Sequence, residues 1–94
     1  MDAAEARALA NQIAAGHAWP DHKHEFPEVA SPGEFALLIQ TVLQAPSAER
    51  KLEGGRTAFW HDQSATIVII NPADADGGTA FRPDAGWMYF ESVP

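Results

Sequence analysis

The sequence predicts an α+β fold in which two N-terminal helices pack on a four-stranded antiparallel β-sheet meander. Its 94 residues are enough for a single domain, with a helical part at residues 1–50 and a sheet part at residues 54–93. In the first half the apolar residues recur with the period of a helix, whereas in the second half they alternate or form β-branched runs. Helices followed by strands, rather than alternating with them, favour an antiparallel sheet.

The first helix is predicted over residues 2–15, where alanines and two larger apolar residues form one stripe. Gly16 follows at the position where a glycine commonly ends a helix. The segment after it contains Pro20 and Pro27, which are incompatible with a long regular helix. A loop or a broken turn is therefore expected between the two helices.

The second helix is predicted to begin at Ser31, because this residue can cap the first turn. Pro32 suits the first helical position, and Glu34 follows the cap at the spacing of a capping box. Apolar residues then recur at helical spacing until Pro46, which ends the helix or begins a separate turn. Residues 47–50 are expected to add one more helical turn.

Four strands are predicted after Gly54, where the apolar period changes to two. They cover residues 56–61, 66–71, 79–82 and 87–91. The second is β-branched and apolar throughout, which is typical of a central strand, and the fourth alternates and is expected to close the sheet. Aromatic residues of these strands, Tyr89 among them, are expected to fill the core between sheet and helices.

Composition excludes several classes of protein. The chain has no cysteine, which excludes a disulfide scaffold, a thiolate zinc site and a cysteine nucleophile, and it is expected to work in a reducing cytosol. No apolar run approaches the roughly 20 residues of a membrane span, so no membrane partner is expected. Asp2 and Glu5 give the start of the chain the wrong charge for a secretory signal.

Charge narrows the possible interactions with nucleic acids. Thirteen acidic residues against six basic residues give a net charge of −7. Proteins that coat nucleic acids through phosphate contacts are usually basic, so that class is excluded. A small cationic site inside an acidic shell remains possible. The basic residues are Arg7, Lys23, Arg50, Lys51, Arg56 and Arg82.

Three of the four histidines, His17, His22 and His24, lie within eight residues of one another, inside the proline-containing segment. Histidine is the natural general acid or base at neutral pH, because its unperturbed pKa is about 6.5. Two other interpretations stay open. The histidines can be ordinary surface residues of a polar loop, or they can bind a metal together with Asp21 or Glu25.

Two predicted strands each carry one arginine and one threonine, at residues 56–57 and at Thr79 and Arg82. If these side chains face one cleft, the arginines supply bidentate donors to a phosphate and the threonines a hydroxyl donor. A histidine opposite them completes the groups that metal-free RNA cleavage needs. A strand arginine is also commonly a surface ion-pair partner. Trp60 is a candidate for stacking on bases or, equally, a partly buried residue at a sheet edge.

Several segments together resemble a family of small ribonucleases. Residues 21–26, Asp-His-Lys-His-Glu-Phe, resemble the histidine segment of colicin D-like tRNase domains, and residues 83–91 are similar to the last hairpin of that family. Gly-Arg-Thr-Ala-Phe-Trp at 55–60 and Gly-Thr-Ala-Phe-Arg-Pro at 78–83 look like toxin domains of contact-dependent inhibition (CdiA C-terminal) and polymorphic systems. These domains belong to the barnase–EndoU–colicin–RelE-like group, which places its site on the face of a four-stranded sheet.

The resemblance implies a metal-independent endoribonuclease toxin that needs no cofactor. Its substrate is expected to be tRNA, cleaved to a 2′,3′-cyclic phosphate in the bacterial cytosol, and its partner a cognate immunity or antitoxin protein. His22 takes the place of the catalytic histidine, and Arg56, Thr79 and Arg82 stand on the phosphate side. The auxiliary candidates are His17, His24, Lys23 and Trp60. The chain departs from the family in charge, because Asp21 precedes His22 and only Lys23 is left nearby.

Two other functions fit the same sequence. An acidic, non-enzymatic module that binds a basic protein, such as an immunity protein or a regulator, agrees with the net charge of −7. A metal-dependent hydrolase is the third possibility, with the residues of the segment 17–25 as ligands.

Overall fold

The computed structural model describes residues 1–94 and confirms the α+β class. The helices are α1 (Ala3–Ala15), α2 (Ala18–His22), α3 (Pro32–Gln44) and α4 (Trp87–Ser92), with short 3₁₀ turns at Lys23–Glu25 and Glu53–Gly55. The strands are β1 (Ala48–Lys51), β2 (Thr57–His61), β3 (Thr66–Ile70) and β4 (Gly78–Phe81). They form one antiparallel sheet in the order β1-β2-β3-β4. None of the helices has the length and apolar character that crossing a membrane requires.

Both long helices begin where the sequence predicts, because a side chain caps each of them. Asp2 accepts a hydrogen bond from the backbone N–H of Glu5 at 2.8 Å, at the start of α1. Ser31 does the same for Glu34 at 3.2 Å, at the start of α3. Such caps satisfy donors that the first helical turn leaves unpaired, and each stabilises a helix by about 1 kcal/mol.

The larger core lies between α1, α3 and one face of the sheet, which we call the helix face. Phe26, Phe35, Ile13 and Ile39 are fully buried there, and the two phenylalanine rings meet at a centroid distance of 5.1 Å. Phe59, Val68 and Ala80 contribute the sheet side of this core. Full burial of a side chain of this size stabilises the fold by roughly 1.5–3 kcal/mol, so this layer holds the domain together.

The opposite face of the sheet, the α4 face, is covered by the short helix α4. Phe90 and Val93 pack there against a buried row that includes Trp60 and Ile67. The Arg50 guanidinium donates hydrogen bonds to the carbonyl oxygens of Phe90, at 2.9 Å, and of Val93. These bonds satisfy carbonyl groups that the end of a helix leaves unpaired, so Arg50 fixes α4 on the sheet.

The predicted strand at residues 87–91 is wrong, because this segment forms α4. Buried and exposed residues do not alternate there: Met88 is exposed, whereas Phe90 and Val93 are buried three residues apart. The edge of β4 is also occupied, because α2 packs beside this strand. Glu25 accepts a hydrogen bond from the backbone N–H of Arg82 at 2.7 Å, immediately after β4.

The predicted helical turn at residues 47–50 is also wrong, and the sheet starts at Ala48 rather than after Gly54. β1 pairs with β2, and the Ser47 N–H extends this pairing by donating to the Trp60 carbonyl at 2.7 Å. In the proline-containing segment the structure has the short helix α2 where a loop or broken turn is expected. Pro20 is tolerated as its third residue, since the first helical N–H groups have no partner within the helix.

Candidate active site

The segment that carries three of the histidines runs alongside β4, the edge strand of the sheet. At one end of α2, His17 contacts Asp76, two residues before β4. At the other end, Glu25 accepts the hydrogen bond from the backbone N–H of Arg82, just after β4. Edge strands carry backbone donors without a strand partner, and this carboxylate satisfies one of them. The contact fixes the segment around His22 beside the end of β4.

His22 is held by a carboxylate on one side and by an aromatic ring on another. Its Nδ1 lies 2.6 Å from Oε2 of Glu25, and the two side chains are 29% and 21% exposed. The imidazole stacks on Phe81, with the ring centroids 5.2 Å apart and the planes inclined by 26°. A carboxylate at Nδ1 favours the tautomer with the proton on Nδ1, which leaves Nε2 as the basic atom. His22 is thus arranged to accept a proton at Nε2.

Glu25 is the functional candidate whose role the sequence analysis misses, since it appears there only as a possible metal ligand. Each of its carboxylate oxygens has a different partner: Oε1 accepts the hydrogen bond from the backbone N–H of Arg82, and Oε2 contacts Nδ1 of His22. The spacing of three residues between His22 and Glu25, typical of side chains on one side of a helical turn, is the signal that points to this pair.

Arg82 lies close to His22 in the fold but is engaged in an internal network. Its guanidinium binds both carboxylate oxygens of Glu28, one of them at 2.8 Å, and donates to the Glu25 carbonyl and to the Thr66 hydroxyl. It also lies over the Phe26 ring, 4.4 Å from the centroid. The hydrogen bond from Arg82 lowers the pKa of Glu28 to about 2. The structure thus uses Arg82 to tie the segment 25–28 to the sheet.

Arg56 is at the other end of the sheet, and the two arginines do not face one cleft. β3 lies between β2 and β4, and the strand register places Arg82 level with His61. Five residues of strand and two strand spacings then separate Arg56 from Arg82, about 17 Å along the strands and about 10 Å across them. Arg56 instead donates from Nε to the Glu53 carbonyl at 3.0 Å, within the turn before β2.

Thr79 lies two residues before Phe81 on β4, so both side chains project from the α4 face. Phe81 contacts Tyr89 of α4, with centroids 5.5 Å apart, which places α4 next to the candidate site. The Thr79 hydroxyl is buried and has no hydrogen-bond partner in the protein. The Thr79 hydroxyl is therefore a buried polar group whose hydrogen-bonding capacity is not satisfied within the protein.

Replacing Thr79 with valine is expected to stabilise the protein by about 1 kcal/mol, because valine removes an unsatisfied hydroxyl and keeps the β-branched shape. Thr66→Val is the matched control on the neighbouring strand. The Thr66 hydroxyl is fully buried, donates to the Ser64 carbonyl and accepts from Arg82, so its loss should destabilise by about 1–2 kcal/mol. Urea unfolding measures both, and a Thr79→Val variant as unstable as Thr66→Val contradicts the structural assignment.

The auxiliary candidates differ in how accessible they are. His24 is 74% exposed and lies 3.7 Å from the Glu25 oxygen that binds His22. Lys23 is exposed and forms no ion pair. Trp60 is 4% exposed and belongs to the core of the α4 face, so its ring does not offer a free surface to a base. No three of the histidine, aspartate and glutamate side chains are grouped as a metal ion would require.

His17 forms a separate pair with Asp76, with Nδ1 and Oδ2 2.5 Å apart, and its backbone N–H donates to the same oxygen at 3.1 Å. The pKa of His17 is raised, chiefly by the hydrogen bond to Asp76, and that of Asp76 is lowered, chiefly by the hydrogen bond from His17. The pair joins the start of α2 to the loop before β4.

The contribution of this pair to stability is expected to depend on pH. For His17, whose pKa is raised, the stabilisation is complete below the ordinary value of 6.5 and declines as pH rises through the folded-state pKa. For Asp76, whose pKa is lowered, the stabilisation is complete above pH 3.8, the ordinary pKa, and declines as pH falls through the folded-state pKa. The urea midpoints of wild type and Asp76→Asn should therefore differ most between pH 3.8 and 6.5. A difference that grows between pH 6.5 and 8.5 contradicts this assignment.

The structure forms no pocket around the partly exposed side chains of His22 and Glu25, so this pair lies at an open surface. No known protein family matches this chain, and no curated protein matches it in sequence. The chemistry of the site is therefore inferred from the side chains themselves: an oriented imidazole, a carboxylate that holds it, an exposed lysine beside it and a buried hydroxyl on the neighbouring strand.

Proposed function

We propose that the protein is a metal-independent endoribonuclease in which His22 is the general base. The single observation that carries the proposal is the contact between His22 Nδ1 and Glu25 Oε2 at 2.6 Å, which leaves Nε2 free. An imidazole held in this way by a carboxylate is the arrangement used to accept a proton from a hydroxyl group. The resemblance of residues 21–26 to the histidine segment of colicin D-like tRNases gives the same role to the same residue.

In the proposed reaction His22 Nε2 takes the proton of a ribose 2′-hydroxyl. The 2′-oxygen forms a bond to the adjacent phosphorus, and the bond from phosphorus to the 5′-oxygen breaks. The 5′-oxygen takes a proton from a water molecule, and the hydroxide that remains recovers the proton from His22. The products are a 2′,3′-cyclic phosphate and a 5′-hydroxyl. Glu25 stabilises the imidazolium that forms on His22, as the third group of a catalytic triad does.

We assign to Lys23 the stabilisation of the negative charge that develops on the phosphoryl oxygens. This residue directly follows His22, is exposed and forms no ion pair, whereas Arg82 is bound to Glu28 and Arg56 is at the far end of the sheet. The Thr79 hydroxyl has no partner, but it is buried, so it is not assigned to the phosphate. In this assignment Arg82 is a positioning residue, because it fixes Glu25 and not the phosphate.

Incubation of the purified protein with total bacterial tRNA in the presence of EDTA tests the proposal. We expect discrete fragments whose 3′ ends carry a 2′,3′-cyclic phosphate, because the reaction needs no metal ion. Intact tRNA, or fragments with 3′-hydroxyl ends, contradicts the proposal. Cleavage that EDTA abolishes favours a metal-dependent hydrolase instead.

An acidic module that binds a basic protein is the second candidate function. The net charge of −7 favours it, since acidic surfaces attract basic partners and repel phosphates. Glu28 neutralises Arg82, the cation nearest to Glu25, which further reduces the attraction of this surface for RNA. This candidate is favoured if the purified chain leaves tRNA intact and binds a basic protein tightly.

A further inference from the structure

Two adjacent apolar side chains remain exposed on α4, although the helix itself is packed on the sheet. Met88 is 72% exposed and Trp87 is 44% exposed. One side of the Trp87 ring is supported by Phe90 and Trp60, with centroids 5.0 Å and 6.5 Å away, so the ring is held in place rather than free. Contiguous exposed apolar side chains that are rimmed by polar residues mark interaction sites on soluble proteins.

The segment that carries these two residues is acidic. Residues 83–94 contain Asp84 and Glu91, both exposed, and no lysine, arginine or histidine. Glu91 lies three and four residues after Met88 and Trp87, and side chains at this spacing occupy the same side of a helix. Arg50, which contacts α4, directs its guanidinium at the carbonyl oxygens of Phe90 and Val93. We call Trp87, Met88, Asp84 and Glu91 the α4 patch.

We infer that the α4 patch binds a basic, amphipathic segment of another protein. Apolar side chains of that segment would cover Trp87 and Met88, and its lysines or arginines would pair with Asp84 and Glu91. The net charge of −7 favours a cationic partner at longer range. The same carboxylates oppose RNA phosphates, so a nucleic acid is not the expected occupant. The inference rests on the binding-module candidate and needs no contribution from His22 or Glu25.

A labelled helical peptide with leucines on one side and lysines on the other is the probe. Fluorescence anisotropy at physiological salt should show binding that Met88→Ser and Glu91→Lys each weaken at least tenfold. Leu37→Ser on α3 and Glu5→Lys on α1 are the matched controls, since they alter a leucine that is 64% exposed and an exposed acidic residue elsewhere, and they should change the affinity less than twofold. A peptide with glutamate in place of lysine should not bind.

Several results would overturn the inference. The inference is wrong if the lysine peptide does not bind, if Met88→Ser and Leu37→Ser weaken its affinity equally, or if the glutamate peptide binds. Self-association of the chain that Met88→Ser abolishes assigns the patch to a second copy instead, and binding of a single-stranded RNA that Met88→Ser abolishes assigns it to nucleic acid. Because Met88 lies outside the His22–Glu25 pair, Met88→Ser should give the same result as wild type in the tRNA assay, whether or not tRNA is cleaved.

Discussion

His22→Asn is expected to reduce the rate of RNA cleavage by about 10²–10⁴-fold, the usual contribution of a positioned general base. Asparagine cannot take the proton of a 2′-hydroxyl, but it keeps a polar group within reach of Glu25. The side chain of His22 is partly exposed, so the free energy of unfolding should change by less than about 1 kcal/mol. Cleavage assays and urea unfolding of the same preparation separate the two effects.

His61→Asn is the matched control for this variant. His61 is also half-buried and also has its Nδ1 engaged, but its partner is the Ser64 hydroxyl rather than a carboxylate. Because His61 is on β2 and does not contact Glu25, its replacement should leave the cleavage rate within about twofold of wild type, as expected for a residue outside the chemistry. Equal losses in the two variants, or no loss in His22→Asn, remove the assigned role of His22.

Gly78→Ala is expected to destabilise the protein by roughly 3 kcal/mol or more. The added Cβ would lie 2.0 Å from the carbonyl oxygen of Ile69 in β3, a backbone atom that cannot move aside without breaking the pairing of β3 and β4. The residue also has φ of +140°, which side chains rarely adopt. Overpacking and strained backbone each cost about 1–3 kcal/mol, so the two effects together approach the stability of a small domain.

Gly55→Ala separates the two causes, because Gly55 also has a positive φ, +75°, but no atom lies within 4 Å of an added Cβ. Gly55→Ala should lower the free energy of unfolding only by the cost of a left-handed backbone conformation, about 1–2 kcal/mol. Urea unfolding of both variants gives the comparison. Equal destabilisation would show that close packing against Ile69 is not what requires glycine at position 78.

The elements that the sequence predicts well have a clear local signal. α1 and α3 each have a cap and an apolar period that a helix satisfies, and β2 and β3 are runs of aromatic or β-branched apolar residues. The failures fall on short segments, although β4, which also has four residues, is predicted. β1 has four residues, too few to distinguish a strand from a helical turn, and its pairing with β2 depends on contacts remote in sequence. The apolar run of α4 is compatible with either period until its burial is known.

The candidate site is predictable to a similar extent. The proximity of His22 and Glu25 follows from their spacing of three residues once this segment is helical, whereas the prolines predict a loop or a broken turn there. The engagement of Arg82 with Glu28 does not follow, because 54 residues separate them and only the fold brings them together. The same holds for Arg56, whose distance from Arg82 depends on the order and register of the strands rather than on any local pattern.

The most direct test of the proposed cleavage uses two RNA oligonucleotides that carry the same cleaved sequence. One is entirely ribonucleotide, and the other has a single 2′-deoxyribose at the nucleotide before the broken bond. Attack by the 2′-oxygen predicts that wild-type protein cleaves the first oligonucleotide and leaves the second intact at that bond, with EDTA present in both reactions. Equal cleavage of the two oligonucleotides would contradict the role of His22 as the base that activates the 2′-hydroxyl.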